Sequence, residues 1–159
     1  MRTDVFIALG TNIGDRAANL DTALAALAMF VNDVEPSPIY ESAPKYVTDQ
    51  PRFLNMVARG STALRAPALL TKLKALEVDM GRQPSMLNGP RLIDLDIVYF
   101  GAAIIDTPAL TVPHPRLRER AFVLRPLADI DSNWRDPVTG ATVRDMLAAL
   151  EDDGDLVRI

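Results

Sequence analysis

The sequence has no cysteine among its 159 residues, which excludes disulfides and thiolate metal sites. No stretch approaches the roughly 20 apolar residues that a helix needs to cross a bilayer. The opening residues, MRTDVFIALGTN, lack the apolar core and cleavage site of a signal peptide. We therefore expect a cytoplasmic chain with no membrane partner.

Several common catalytic and nucleotide-binding motifs are also missing. We find no P-loop, no G-x-G-x-x-G fingerprint, no kinase-like H-R-D and no G-x-S-x-G elbow. The single histidine, His114, leaves little for hydrolysis of the Ser-His-Asp type. A net charge of −4 and a pI of about 4.9 argue against a nucleic-acid partner, although an acidic chain can still contain a local basic site.

Length and hydrophobic periodicity predict one domain, residues 1–159, of the α+β class. Apolar runs predict strands at 4–9, 39–42, 53–57 and 92–100, and helical spacing predicts helices at 16–31 and 67–80. We expect Asp15 to cap the first helix and Gly81 to end the second. The order βαββαβ predicts a ferredoxin-like sandwich, an antiparallel sheet with helices packed on it. A C-terminal extension would follow, with a short, basic, partly helical segment at 114–127 and a helix at 143–150.

The stretch GPRLIDLDIVYFG, residues 89–101, places two acids inside an apolar strand. Alternation along a strand puts Asp94 and Asp96 on one face, with α-carbons roughly 6.5 to 7 Å apart. The opposite face would carry Ile93, Leu95, Ile97 and Tyr99. Two interpretations fit the pair. The acids either lie on a solvated face, or they hold one or two Mg²⁺ ions, which would relieve their mutual repulsion.

Arginines accompany the acid pair on both sides. Arg82 and Arg91 flank the preceding loop, and Arg116, Arg118, Arg120 and Arg125 follow His114. Guanidinium groups bind phosphate well, so a polyphosphate substrate would explain acids and arginines together. Any single arginine could equally pair with a surface acid, and His114 could be a structural histidine.

Three stretches together resemble one family: GPRLIDLDIVYFG, the downstream LTVPHPRLRERAFVLRPL and the N-terminal IALGTNIGDR. They are similar to the 6-hydroxymethyl-7,8-dihydropterin pyrophosphokinases of folate biosynthesis. The resemblance spans nearly the whole chain and implies a ferredoxin-like fold. It implies transfer of pyrophosphate from ATP to the pterin hydroxymethyl group, with AMP as second product and two Mg²⁺ ions as cofactors.

The resemblance also implies a role for particular residues. It places the metal ligands at Asp94 and Asp96, and the catalytic arginines at Arg82 and Arg91. It places ATP binding at the backbone of Ile97 and at Thr111, His114, Arg118 and Arg120. It places the pterin pocket at Ser42, Ala43, Lys45, Phe53, Asn55 and Phe122.

Four positions depart from the family pattern: Pro84, Asn88, Ala109 and Pro115. They bear on nucleotide affinity and on closure of the loop over the substrates. Alternatives to the pyrophosphokinase are a paralogue acting on a related pterin and a non-catalytic pterin- or nucleotide-binding module. An RNA-binding α+β domain is a third, which the acidic pI disfavours. We expect a monomer or a weak homodimer.

Overall fold

A computed structural model describes residues 1–81, 89–151 and 155–159. The strands are β1 (Thr3–Thr11), β2 (Asn32–Pro36), β3 (Tyr40–Ser42), β4 (Phe53–Thr62), β5 (Asp94–Phe100), β6 (Ile105–Asp106), β7 (Thr111–Val112) and β8 (Val157–Arg158). The helices are α1 (Arg16–Leu27), α2 (Ala66–Asp79), α3 (Ala121–Asp131) and α4 (Val143–Ala148), with a 3-10 turn at Leu117–Glu119. In this described part of the chain, no helix is both long and apolar enough to cross a membrane.

The main sheet has the strand order β5-β1-β4-β3-β8, and β2 also pairs with β4. Every pair in it is antiparallel. Because β2 and β3 lie end to end along β4, they act as one interrupted strand, and β5, β1, β4 and this strand have the order of a ferredoxin-like sheet. The predicted α+β fold is confirmed.

The interruption between β2 and β3 follows from Pro36 and Pro38, which have no N–H to give to a ladder. Ser37 lies between them and replaces the lost pairing. Its backbone N–H donates to the carbonyl of Val57 at 2.8 Å, and its hydroxyl accepts from the Val57 N–H at 2.9 Å. The strand is therefore bent without leaving β4 unpaired.

A β-bulge interrupts the pairing of β1 with β5. Phe6 lies opposite Tyr99 and Ile7 lies opposite Ile97, so Val98 is one residue extra. The predicted alternation over residues 92–100 holds up to Ile97 and is wrong beyond it, because the bulge moves Tyr99 to the opposite face of the sheet. The carbonyl of Val98 accepts the backbone N–H of His114 at 3.1 Å, which ties the bulge to the chain after β7.

Two apolar layers share the main sheet. One layer packs Ile7, Leu9, Leu95 and Ile97 beneath α1 and α2. The other packs Phe6, Val57 and Tyr99 beneath α3 and α4. The C-terminal extension thus covers the second face of the sheet, which a minimal ferredoxin-like sandwich leaves open.

Helix ends agree with the sequence where caps are present. The side chain of Asp15 accepts the Ala18 N–H at 3.1 Å, and Gly81 has a φ of 95° directly after the last turn of α2. α1 ends at Leu27 rather than at residue 31. The segment predicted as partly helical, 114–127, contains the start of α3, and this helix continues four residues beyond it to Asp131, because burial of its apolar face outweighs the cost of Pro126 in its interior.

Candidate active site

A pocket of about 100 Å³ opens on the face of the sheet that carries Asp94 and Asp96. Three segments build its walls: the facing ends of β1, β4 and β5, the chain between β3 and β4, and the start of α3. Predicted site residues on its lining are Ser42, Ala43, Lys45, Phe53, Asn55, Arg91, Asp94, Asp96, Arg120 and Phe122. Residues up to 80 positions apart in sequence therefore meet in one place.

Small residues of β1 leave room for the pocket. Gly10 lies between Asp94 on β5 and Asn55 on β4, and Ala8 lies beside Asp96. A β-carbon on Gly10 would stand 3.3 Å from the Asn55 side-chain oxygen, tighter than an ordinary contact. The floor of the pocket at Gly10 is therefore backbone, and a larger side chain at this position would fill part of the pocket.

The carboxyl of Asp96 lies where ionisation is costly. Burial, and then the nearby Asp94 carboxylate, raise the pKa of Asp96 to about 7, while the cations of Lys74 and Arg120 lower it in part. A group with this pKa is stabilised in its charged form by any cation placed beside the pair. Two hard oxygen donors side by side fit Mg²⁺.

His114 lies next to this pair, with Nε2 at 4.0 Å from a side-chain oxygen of Asp96. Burial, and then the positive charge of Arg120, lower the pKa of His114 to about 4. Its Nδ1 accepts the Arg116 N–H at 3.2 Å, so in the neutral ring the proton is on Nε2, toward Asp96. At neutral pH His114 is a neutral hydrogen-bond donor rather than half of an ion pair.

Helix α2 holds the outer edge of β5. Glu77 is buried, and its Oε2 accepts the Leu95 N–H at 2.8 Å. Lys74 donates to the Leu95 carbonyl at 3.3 Å and pairs with Glu77. These two side chains replace a neighbouring strand at the residue between Asp94 and Asp96, which fixes the backbone that carries both acids.

Asn12 joins the two loops that flank the pocket. Its Oδ1 accepts the backbone N–H of Arg91 at 2.7 Å, and its own N–H donates to the Arg91 carbonyl at 3.0 Å. Its Nδ2 donates to the side chain of Gln50 and to the carbonyl of Pro51, both at 2.9 Å. Asn12 thus sets the position of Arg91 relative to the chain between β3 and β4.

The opposite wall combines an amide with aromatic rings. Asn55 is buried and donates from Nδ2 to the Ser42 hydroxyl at 2.7 Å, which orients the amide. Phe53 and Phe122 contribute rings, and the Arg120 guanidinium lies 5.5 Å from the Phe122 ring centre. This wall suits a flat ligand with polar edges.

Four other predicted site residues are described but do not line the pocket: Ile97, Thr111, His114 and Arg118. His114 nevertheless lies next to Asp96. Arg118 is directed at buried Asp136, 3.9 Å away. Arg82, Pro84 and Asn88 lie outside the described residues, so their predicted roles stay predictions. Ala109 and Pro115 are described and do not line the pocket.

Sequence reasoning missed residues that support the site rather than carry its charge. These are Ala8, Gly10, Asn12, Tyr46, Gln50, Lys74 and Glu77. Gly10 and Asn12 fall inside IALGTNIGDR, one of the stretches already singled out, and that was the available signal.

Comparison with known proteins gives the context for this geometry. The family model described as 7,8-dihydro-6-hydroxymethylpterin-pyrophosphokinase (HPPK) matches residues 6–132. A Pseudomonas aeruginosa protein named 2-amino-4-hydroxy-6-hydroxymethyldihydropteridine pyrophosphokinase is 41% identical over 152 residues, covering 94% of this chain and 93% of that protein.

Other relatives are longer. A folic acid synthesis protein of Pneumocystis carinii is 41% identical over 140 residues, and a mitochondrial folate synthesis bifunctional protein of Pisum sativum is 47% identical over 128 residues. The matches cover 87% and 80% of this chain but only 19% and 25% of those proteins. The chain thus spans a quarter or less of the length of these two relatives.

Solved structures agree on the fold. A crystal structure of HPPK-DHPS in complex with substrates superposes with a TM-score of 0.77 at 16% identity, covering 93% of this chain and 43% of that one. A Plasmodium falciparum HPPK-DHPS structure with pterin and p-hydrobenzoate gives 0.78 at 15% identity, covering 100% and 48%. Because the family model matches most of the chain and the Pseudomonas relative matches nearly all of it, the chain belongs to the 7,8-dihydro-6-hydroxymethylpterin-pyrophosphokinase family.

Proposed function

We propose that the chain transfers a diphosphate group from ATP to the hydroxymethyl oxygen of 6-hydroxymethyl-7,8-dihydropterin, as a step of folate biosynthesis. The observation that carries this proposal is a single pocket in which Asp94, Asp96 and Arg91 face Asn55 and Phe122. A polyphosphate requires a metal and cations, whereas a flat, polar-edged ring requires aromatic faces and an amide. One pocket offers both sets of groups.

The proposed step forms one bond and breaks one. The hydroxyl oxygen of the pterin substrate bonds to the β-phosphorus of ATP, and the bond from that phosphorus to the oxygen bridging to the α-phosphate breaks. AMP leaves with the bonding electrons, and the hydroxyl proton passes to water. The chain contributes by holding the two substrates in line and by balancing the charge of the transferred group.

Each wall has its own task in this proposal. Asn55, oriented by Ser42, hydrogen-bonds the pterin edge, while Phe53 and Phe122 contact its faces. Arg91 and Arg120 supply positive charge to the phosphates. The neutral ring of His114 lies next to Asp96 and adds no charge of its own.

Asp94 and Asp96 are the proposed ligands of two Mg²⁺ ions. Among the residues that the structure describes, no group of three or more histidine, cysteine, aspartate or glutamate side chains could hold a metal. A pair of carboxylates nevertheless suits Mg²⁺, which usually keeps waters and takes further ligands from substrate phosphates. When bound, Mg²⁺ supplies Lewis-acid stabilisation to phosphate oxygens.

The test is AMP formation from ATP, Mg²⁺ and 6-hydroxymethyl-7,8-dihydropterin, compared with the Asp96→Ala variant. We expect wild-type protein to form AMP only when the pterin is present, and the variant to lose turnover because it lacks a metal ligand. Asp106→Ala is the matched control, since Asp106 is exposed on β6 outside the pocket.

Wild-type protein that binds the pterin but forms no AMP above background would favour the non-catalytic binding module. Full turnover by Asp96→Ala would refute the metal assignment while leaving the reaction in place. The predicted cytoplasmic location and the monomeric or weakly dimeric state stay predictions; gel filtration with light scattering tests the second.

A further inference from the structure

Tyr46 is the one aromatic residue on the pocket lining to which the sequence assigned no role, and it connects two distant segments. It lies between β3 and β4, and its partners Arg116, Glu119 and Arg120 lie between β7 and α3, about 70 residues later. The Tyr46 hydroxyl donates to Glu119 Oε1 at 2.6 Å and accepts from Arg120 Nε at 3.1 Å. Both hydrogen-bonding capacities of the hydroxyl are therefore used by the opposite segment.

The ring of Tyr46 adds a second kind of contact. The guanidinium carbon of Arg116 lies 4.6 Å from the ring centre and that of Arg120 lies 5.3 Å from it. Both distances are within the range of cation–π attraction. The Glu119 carboxylate, held at the hydroxyl of the same ring, offsets the repulsion between the two guanidinium groups.

These contacts determine where Arg120 lies. Its guanidinium carbon lies 5.3 Å from the ring centre of Tyr46, in one segment, and 5.5 Å from that of Phe122, at the start of α3. The hydrogen bond to Tyr46 uses Nε. The two terminal nitrogens are the pair with which arginine grips a phosphate group. An arginine hydrogen-bonded at Nε and in contact with two aromatic rings presents that pair with little further loss of conformational freedom.

We infer that Tyr46 is a positioning residue that holds Arg120 for the phosphate groups of the nucleotide, with Arg116 and Glu119 completing the clamp. The inference rests on the proposed function for its substrate, ATP. The contacts are themselves independent of that substrate. They are half-exposed, so their loss should alter substrate parameters more than global stability.

The first experiment measures the KM for ATP in Tyr46→Phe and Tyr46→Ala. The Phe variant keeps the stacked ring and loses both hydroxyl bonds, so we expect KM to rise about fivefold. The Ala variant also loses the cation–π contacts, and we expect a rise of about twentyfold. The melting temperature should stay close to that of the wild type in both.

Tyr40→Phe is a matched control, because Tyr40 also bonds a carboxylate and an arginine, Asp129 and Arg125, but lies off the pocket lining. We expect it to lower the melting temperature and leave the KM for ATP unchanged. An equal effect of Tyr40→Phe and Tyr46→Phe on KM would overturn the inference.

A double-mutant cycle tests whether Tyr46 acts through Arg120. In an Arg120→Lys background the guanidinium is gone, so Tyr46→Phe should no longer change KM. Additive effects of the two substitutions would overturn the inference, since Tyr46 would then act independently of Arg120.

Hydrogen exchange of the ligand-free protein separates this inference from the proposed reaction. We expect the amides of residues 43–50 to exchange faster in Tyr46→Ala than in wild type, whether or not the wild type forms AMP. Absence of AMP would refute the proposed function alone. Unchanged exchange in Tyr46→Ala would refute the clamp.

Discussion

At the scale of single residues, the pocket depends on the lack of a side chain at Gly10 as much as on the charged residues around it. Gly10 has Asp94 on one side and Asn55 on the other, and its missing side chain leaves the space above the strand. The Asn55 amide can then point into that space while bonded to Ser42. Glycine normally weakens a strand. At position 10 it also leaves the strand backbone accessible from the pocket.

We predict that Gly10→Ala raises the KM for the pterin about fivefold, the size expected when one hydrogen bond is weakened. The new β-carbon, 3.3 Å from the Asn55 side-chain oxygen, would push the amide away from the ligand. Gly60→Ala is the control: its β-carbon would meet Val31 at 2.4 Å, away from the pocket, so it should lower the melting temperature without altering KM. A Gly10→Ala enzyme with wild-type KM would contradict the prediction that the added β-carbon moves the Asn55 amide away from the pterin.

At the scale of elements, strand β5 carries both acids although it lies at the edge of the sheet. An edge strand has a row of unpaired N–H and carbonyl groups and frays easily. At Leu95, between the two acids, α2 satisfies both groups through Glu77 and Lys74. Helix α2 thus fixes the backbone of β5 between the two carboxylates that are the proposed metal ligands.

We predict that Glu77→Ala lowers the free energy of unfolding by about 2 kcal/mol, because it leaves the buried Leu95 N–H without its carboxylate partner. It should also lower kcat, since the backbone between Asp94 and Asp96 is no longer fixed. Glu77→Gln keeps an acceptor and should recover part of both losses. Asp79→Ala, an exposed acid on the same helix, serves as the control in urea unfolding and in the assay. Normal kcat in Glu77→Ala would mean that the strand edge does not position the acids.

Sequence patterns predicted the elements whose signals are local. Apolar runs and helical spacing identified β1, α1, α2 and all of β5, and the side-chain cap of Asp15 was predictable from residue type. The bulge at Val98 was not predictable, because it depends on how β5 pairs with β1 rather than on its own residues. α3 was predicted only in part, because Pro126 and Arg125 interrupt an apolar face that packing reveals.

The candidate site divides in the same way. Asp94, Asp96 and Arg91 sit together in one short stretch, so alternation was enough to group them. Tyr46 and Arg120 are 74 residues apart, and Asn12 and Arg91 are 79 apart. Such contacts follow from topology, and a single sequence without its fold does not specify them.

At the scale of the whole molecule, the layer of α3 and α4 does two things. It adds Arg120 and Phe122 to the pocket, and it buries the face of the sheet beyond the bulge. There the Tyr99 ring packs with Phe6 and Trp134, at centroid distances of 6.1 and 5.8 Å. The bulge therefore separates two uses of one strand: acids for the pocket before it, and an aromatic anchor for the C-terminal layer after it.

We predict that Tyr99→Phe weakens this layer without changing the chemistry of the pocket. The Tyr99 hydroxyl donates to buried Asp136 at 2.8 Å, and burial together with that carboxylate raises the pKa of Tyr99, so it stays a donor. Asp136 still accepts the backbone N–H groups of Val138 and Thr139, so the loss should be about 2 kcal/mol in the free energy of unfolding.

Asp136→Asn supplies the partner for a double-mutant cycle with Tyr99→Phe. If the bond is the shared cause, the double variant should lose less stability than the sum of the single variants. KM for both substrates should stay at the wild-type value, because Tyr99 faces the C-terminal layer and lies off the pocket lining. A lower kcat at a temperature where the variant is fully folded would show instead that the bulge transmits strain from this layer to Asp96. The two ends of β5 would then act as one unit.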